Sequence, residues 1–585
     1  MNVRDPIRLE ILKNALEGIA DGMALTIVRT SRSTIVRSCL DFSTGGLDRN
    51  GELVGQGACL PMHLGGMMPA LQSCLSRYPG DVHPGDILVS NDPYEGGSHL
   101  PDIFLYKPVF VGGVITGYMC AMAHHTDIGG RVAGGNACDS TEIYQEGLRI
   151  PPLKLYREGV PDESLFRILE KAVRLPEKVM GDLKAQITAL DYGETAWVKL
   201  VERYGVEGFS SAIEELLDYT EELTRQSLLT LPNGTWTFTD YIDDDGFGMG
   251  PIPIVTTLTK EGDNLHADFT GTGPQAKGAI NPVKATSEAM VYAALKTALT
   301  ALGAEIPNTS GYFRPVSMKM PAGTFINANP PAPVAARSMG CIRLFQSIMG
   351  AFAQMLPQAI PACSGGCEYG SGISGYDKSK TPWKPWIQMD FANETAIGAF
   401  AYKDGTDAQG CYNTNLANIP VEEIEAEQPL LVEEYALVAD TEGAGMYRGG
   451  LGMSRKYRYL LDETLVQMRA DREEHTPYGL FGGEDSAPTE IHAQYGEEVK
   501  TMPTKFLSTF DAGDALRIQW PGAGGWGNPL ERSPELLLDD VIAEKITVER
   551  ARSVYGVVID NVARTVDYKQ TQLLRQEKQA SSKQA

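Results

Sequence analysis

Apolar positions recur at near-helical spacing from the start of the chain. Ile7, Ile11, Leu16, Ile19, Met23 and Ile27 fall on one stripe, which predicts an amphipathic helix over about residues 6–32. Asp5 before Pro6 supplies an N-cap and a proline at the first helical position. From 35 to 130 the period shortens. Apolar runs such as DILVS and VITGYMCAMA alternate with Gly, Asp and Asn turns, the pattern of a β-rich region. Between Glu163 and Leu231 the helical period returns, with Leu183, Ile187 and Leu190 on one face. After a turn at Asn233-Gly234, strict alternation around Trp236 and Phe238 opens a second β-rich region near residue 233.

Within that second region, Glu261-Gly262-Asp263-Asn264 predicts a hairpin turn. A helix is expected over about 284–302, and residues 430–520 read as short strands with Gly-rich turns. Ser533 with Pro534 starts a C-terminal helix, and TVERARSVYG gives another ending at Gly556. The closing LLRQEKQASSKQA has little to bury and reads as disordered. The fold class is therefore α+β. Its expected parts are an N-terminal α+β region (1–232), a C-terminal β-rich α+β region (233–560) and a disordered tail (561–585).

Composition narrows the function classes. The 585 residues carry a formal net charge of -24, so nucleic acid and anionic lipid are poor partners. No apolar run reaches the roughly 18 residues of a membrane span, and the N-terminal segment, broken by Asp5, Glu10, Glu17 and Asp21, is no signal peptide. Nine cysteines are scattered without a framework spacing, as expected of reduced thiols in a cytoplasmic protein. Cys363 and Cys367 lack the second pair that a zinc knuckle needs.

Three of the eight histidines lie between Asn91 and Gly130. His99 and Asp102 share a loop in which Pro101 forbids a helix interior. A turn near Gly112-Gly113 makes the two following apolar runs antiparallel, and by register His124 returns close to Asp102. His, Asp and His meeting at a sheet end form a ligand set for a divalent zinc, manganese or iron ion. Asp41 ends an apolar segment and is the candidate fourth ligand, an odd carboxylate to bury without a partner. His63, in LPMHLGG, is a further candidate for contact with the site or with substrate. GAGMYRGGLGMSR and GAGGWGNP match neither a phosphate loop nor a dinucleotide fingerprint and read as tight turns. YIDDDG lacks the glutamate of a calcium loop and reads as a solvated turn.

Several stretches resemble the hydantoinase B/oxoprolinase family. They include CLDFSTGGLDRNGELVGQGACLPMHLGGM, GDILVSNDPYEGGSHLPDIFLYKPVF, AHHTDIGG, EIYQEGLRIPPLKLY, DFTGTGPQAKGAINPV and PGAGGWGNPLERSP. The resemblance covers about residues 5–560. It implies a cytoplasmic subunit working with a hydantoinase A-type ATP-binding partner, in a heterotetramer or larger assembly. The partner, holding ATP with Mg, would phosphorylate the carbonyl oxygen of a small cyclic amide, and this chain would supply the metal. The family's metal motif falls on His99, Asp102 and His124, with Asp41 as the acidic fourth ligand. His125, Asp127, Glu142 and Glu146 become candidate acid/base or supporting groups. The rival readings are the α subunit of an acetone-type ketone carboxylase and a non-catalytic scaffold for the ATPase. Around NETAIGAFAYKDGTDAQG this sequence departs from the family's Gly/Trp-rich pattern, which leaves substrate contacts there unassigned.

Overall fold

The computed structural model describes residues 6–57, 60, 63–366, 370–390, 393 and 395–582. The N-cap expected at Asp5 and the partner thiol Cys367 lie outside these residues. Helix α1 (Pro6–Thr30) and the single turn α2 (Thr34–Arg37) lead into β1 (Phe42–Asp48) and β2 (Leu53–Gln56). Helix α3 (Leu64–Arg77) precedes β3 (Ile87–Ser90), β4 (Asp102–Val111), β5 (Val114–His124), β6 (Leu153–Arg157) and β7 (Val160–Pro161). These strands make one antiparallel sheet in the order β2-β1-β5-β4-β3-β6-β7.

Helices α4 (Glu163–Ala172), α5 (Pro176–Tyr204) and α6 (Val206–Leu229) follow, as the period of the sequence predicts. Alternation along β4 and β5 explains how the sheet is covered. Ile103, Leu105, Met119 and Ala121 join the core with α1 and α5 residues such as Met23, Leu183 and Leu190. Their neighbours Phe104, Tyr106, Cys120 and Met122 join Met67, Leu71 and Cys74 of α3. A sheet buried on both faces needs near-continuous apolar strands, which is why these runs carry so few polar residues.

The second half begins with β8 (Gly234–Ile242), β9 (Ile252–Glu261) and β10 (Asn264–Asp268). The hairpin expected at Glu261–Asn264 joins β9 to β10, with Asn264 opposite Glu261. Helix α7 (Lys284–Ala301) and β11 (Val316–Lys319) follow, and β11 completes a four-stranded sheet beside β10. Helix α8 (Arg337–Met355) then packs on β8 and β9, with nearly every residue buried. A helix buried all round, its polar residues included, shows no amphipathic stripe, and the sequence reading did not find it.

Two further antiparallel sheets are built from β12 (Gly370–Asp377), β13 (Lys384–Asp390), helix α9 (Val421–Glu427), β14 (Leu430–Leu437), β15 (Met453–Tyr459), β16 (Thr464–Arg469), β17 (Glu490–Tyr495), β18 (Glu498–Thr501), β19 (Lys505–Phe510) and β20 (Ala515–Gln519). Their orders are β13-β12-β16-β19 and β14-β15-β20-β17-β18. The two Gly-rich stretches pack backbone on backbone beside them: a Cβ added at Gly449 would stand 1.8 Å from the Ala523 carbonyl oxygen. Helices α10 (Pro534–Ile542), capped by Ser533, and α11 (Val548–Ser553) close the chain with the β21 (Ile559–Asp560) and β22 (Thr565–Val566) hairpin.

Two expectations are corrected. The C-terminal tail, read as disordered, contains helix α12 (Tyr568–Ser582). Arg575 anchors it through bonds to the Arg532 (2.7 Å) and Tyr555 (3.1 Å) carbonyl oxygens, contacts that no apolar pattern announces. The YIDDDG segment is not a solvated turn. Asp240, Asp243 and Asp245 are buried. Asp240 pairs with both Nη atoms of Arg472, while Asp471 meets Arg343 and Lys505. Within the segment, Asp243 accepts from the Glu473, Glu474 and His475 N–H groups and Asp245 from those of Phe247 and Met249, so backbone donors satisfy these carboxylates. One hydrophobic core runs from Leu9 through Leu217 to Trp520, across the boundary expected at 232/233. No described helix is long and apolar enough to cross a membrane.

Candidate metal centre

Asp102 opens β4 and His124 closes β5, and the two are Cα partners in the antiparallel register. His99 precedes β4 by a tight turn in which the Asp102 N–H donates to the His99 carbonyl (3.1 Å). Their side chains converge: one donor atom from each of His99, Asp102 and His124 lies within 4.8 Å of the others. All three residues are buried, Asp102 completely.

The hydrogen bonds assign roles to individual atoms. His99 Nδ1 lies 2.8 Å from the Ala335 carbonyl oxygen, which can only accept, so Nδ1 carries the proton. The opposite Nε2 lone pair then faces Asp102 Oδ1 at 3.1 Å. Two acceptors in contact repel unless a cation lies between them. Burial lowers His99, and the Arg337 charge adds to this against Asp102, so a proton is not the ready answer. His124 falls well below the usual imidazole range, first through burial and then through His99. Burial alone would raise the Asp102 carboxyl, but the positive charge around it, of which Arg337 is the permanent part, holds it well below the usual carboxylate range. Two neutral imidazoles and one carboxylate suit a divalent transition metal, since ligands must bind deprotonated.

Supporting contacts come from distant parts of the chain. Arg337 Nη2 donates to Asp102 Oδ2 at 2.7 Å, and the Ser98 hydroxyl donates to the same oxygen. Arg469 of β16 donates to Asn136 Oδ1 (2.9 Å), and the Asn136 amide nitrogen stands 3.4 Å from His124 Nε2. Such outer partners orient ligands and tune their basicity. Sequence reading found neither Arg337 nor Arg469. Each is remote in sequence and sits in a segment without a motif.

The other expected site residues divide. Asp41 is buried at the edge of the cluster. Its Oδ1 stands 3.7 Å from His63 Nε2, its carbonyl accepts from the His124 N–H (3.0 Å), and it is not in the mutually close set. His63 places Nε2 between Asp41 and Asp102 Oδ2 (4.0 Å) and meets Ser43 Oγ through Nδ1 (3.0 Å). Burial pushes its imidazole down to about 3. His125 departs from expectation. One residue beyond His124, it faces the opposite side of the sheet, where Nε2 donates to Gln186 Oε1 of α5 (3.0 Å). Gln186 in turn donates to the Ile103 and Ala121 carbonyls, so His125 clamps α5 onto the strands. Asp127 holds Arg174 and the Gly134 N–H, and Glu142 is exposed.

Glu146 acts through the backbone. Its Oε1 accepts from the Val334 (2.8 Å) and Ala335 (2.9 Å) N–H groups, and Ala335 presents the carbonyl that His99 uses. Burial raises its carboxyl to about 8, so it is protonated at neutral pH. Glu146→Gln should keep metal content. It should also flatten the loss of stability that the wild-type chain shows as pH rises from about 4.5 to about 8, measured by denaturant unfolding. Glu146→Ala strands two buried N–H groups at about 1–3 kcal/mol each.

These features place the chain in a class. The hydantoinase B/oxoprolinase family pattern matches residues 5–529, and the chain belongs to that family. It is 31% identical to the B-type chain of a putative D-/L-hydantoinase from Pseudomonas sp. (strain NS671), over 98% of both chains. It is 33% identical to the beta chain of the caprolactamase from Pseudomonas jessenii, over 96% of this chain and 97% of that one. The crystal structure of the ATP-dependent caprolactamase from Pseudomonas jessenii superposes with a TM-score of 0.91, covering 98% of this chain and all of the matched one at 31% identity. A nucleotide-free acetone carboxylase structure shares the fold (TM-score 0.91) at 17% identity, with 99% of this chain matched to 83% of that one.

Proposed function

We propose that this chain is the metal-bearing subunit of an ATP-dependent hydrolase of cyclic amides, working with a hydantoinase A-type ATP-binding subunit. The observation that carries this reading is the buried convergence of His99, Asp102 and His124, in a chain colinear with chains of a hydantoinase and a caprolactamase. An amide carbonyl is a poor electrophile; with its oxygen phosphorylated by the partner, one water adds to the carbon, the C–N bond breaks to release the ring nitrogen, and the second water hydrolyses the acyl phosphate left behind. The balance is one cyclic amide, one ATP and two waters giving the ring-opened amino acid, ADP and phosphate.

His99, Asp102 and His124 would hold the ion, with Asp41 the acidic residue nearest for a further position. When bound, a divalent metal lowers the pKa of water towards about 7 and supplies a nucleophile at neutral pH. The protein does the rest. Ala335 and Glu146 fix the His99 tautomer, and Arg337 and Ser98 fix the Asp102 carboxylate. His63 lies between two carboxylates as an imidazole that burial keeps neutral.

The test is reconstitution. The purified chain, its metal quantified, is assayed with and without the partner subunit on hydantoin, 5-oxoproline and caprolactam. Amide-dependent ATP use should appear only with both subunits. Substantial ATP turnover by this chain alone, or bicarbonate-dependent ketone carboxylation by the pair, would replace the reading. Asp41→Asn separates two roles for that residue. Metal retention should weaken about 10–100-fold if Asp41 supports the ion. Full retention with lowered stability would instead assign it to His63 and its loop.

A further inference from the structure

At the first turn of α8 the Arg337 and Met339 N–H groups are bonded to the Val334 (3.0 Å) and Ala336 (3.2 Å) carbonyls, and the Arg337 side chain brings an unspent donor into the site. Arg337 is 4% exposed. Its Nη2 bonds Asp102 Oδ2 and approaches Ser98 Oγ at 3.4 Å, while Nε is buried with no hydrogen-bond partner. A guanidinium has five N–H donors and no acceptor. Leaving one of them buried and unpaired forfeits its hydration with nothing in return.

Its position sharpens the problem. Arg337 is the first residue of a 19-residue helix whose first turn holds no acidic side chain and whose N-cap, Ala336, offers no side-chain acceptor. The backbone dipole is positive there, so a cation is disfavoured at this end. Asp102 answers part of that charge, but the same Oδ2 also accepts from the Ser98 hydroxyl. Glu146, the next acidic side chain, spends Oε1 on the Val334 and Ala335 N–H groups. What remains is a buried helix N-terminus and a guanidinium edge with an open donor, a combination that stabilises an anion.

We propose that Arg337 and the first turn of α8 receive the phosphoryl group of an O-phosphorylated substrate, beside His99, Asp102 and His124. This rests on the reading that a partner phosphorylates the amide oxygen. The planar fork favours a phosphoryl group, which can accept from Nε and a terminal nitrogen together. Held there, the phosphoryl group fixes the activated carbon next to the cluster. Without that hold the intermediate is lost: water attacks phosphorus, the P–O bond to the amide oxygen breaks, and amide and phosphate are released with no ring opened.

Two measurements test this. Equilibrium dialysis of the full chain with inorganic phosphate should show saturable binding, at least tenfold weaker in Arg337→Lys, which keeps a positive charge near Asp102 but lacks the fork. Absent binding to wild-type chain, or equal binding by both, overturns the site. Phosphate should also slow hydrogen exchange at the first-turn amides of α8 in the wild-type chain, a readout that stands even if the variant does not fold. Protection confined to other segments overturns the placement. In the reconstituted complex, Arg337→Lys should raise ATP consumed per ring opened several-fold. An unchanged ratio with normal amide-dependent ATP use overturns the receptor role and leaves the functional reading standing. Phosphate binding at Arg337 without amide-dependent ATP use in any variant overturns the functional reading, and the phosphoryl role with it.

Discussion

The His99→Ala/His124→Ala double variant should lose its metal, falling from near one ion per chain to less than about a tenth, and with it at least about 10³-fold of cyclic-amide hydrolysis. Removing two of three ligands leaves Asp102 alone, and a single carboxylate already bonded to Arg337 and Ser98 holds a transition ion poorly. The fold should survive. Both imidazoles lie at a strand end, outside the apolar packing of β4 and β5 against α3 and α5. Elemental analysis with circular dichroism on the same sample checks it. Undiminished metal in a folded double variant would remove this cluster as the metal site.

Asp102→Asn should cost about 3–5 kcal/mol, because it strands the buried Arg337 charge in a site where, among the described residues, no other full anion is bonded to it. The double variant Asp102→Asn/Arg337→Met removes both charges and should recover more than half of that loss, since an apolar replacement of a buried pair is often close to neutral. Denaturant unfolding of the four proteins of the cycle measures the coupling. Additive losses would show that Arg337 does not depend on Asp102 for its charge balance. Metal content should fall in every variant lacking Asp102, whatever its stability.

Much of the site was legible because its information is local. The spacing of His99 and Asp102, the turn at Gly112-Gly113 and the length of the two runs place His124 opposite Asp102, and β4 and β5 pair in that register. The same period of two, carried one residue further, would have sent His125 to the other face. Helices α1, α5 and α6 announced themselves by their stripes. Helix α8 did not, because burial on all sides erases the stripe.

By itself, the sequence determined the α+β class, the hairpin that delivers the cluster, the family, and the absence of a legible phosphate loop. Only the tertiary structure decided how the atoms of the cluster are held. The Ala335 carbonyl sets the His99 tautomer, Glu146 fixes that carbonyl's peptide, and Arg337 and Arg469 arrive from beyond residue 330 to hold Asp102 and, through Asn136, His124. The physical reason is range. Strand register and helix faces follow from neighbours a few residues apart, whereas a buried charge is balanced by whichever partner the packed core brings to it, over separations of 235 residues for Arg337 and Asp102.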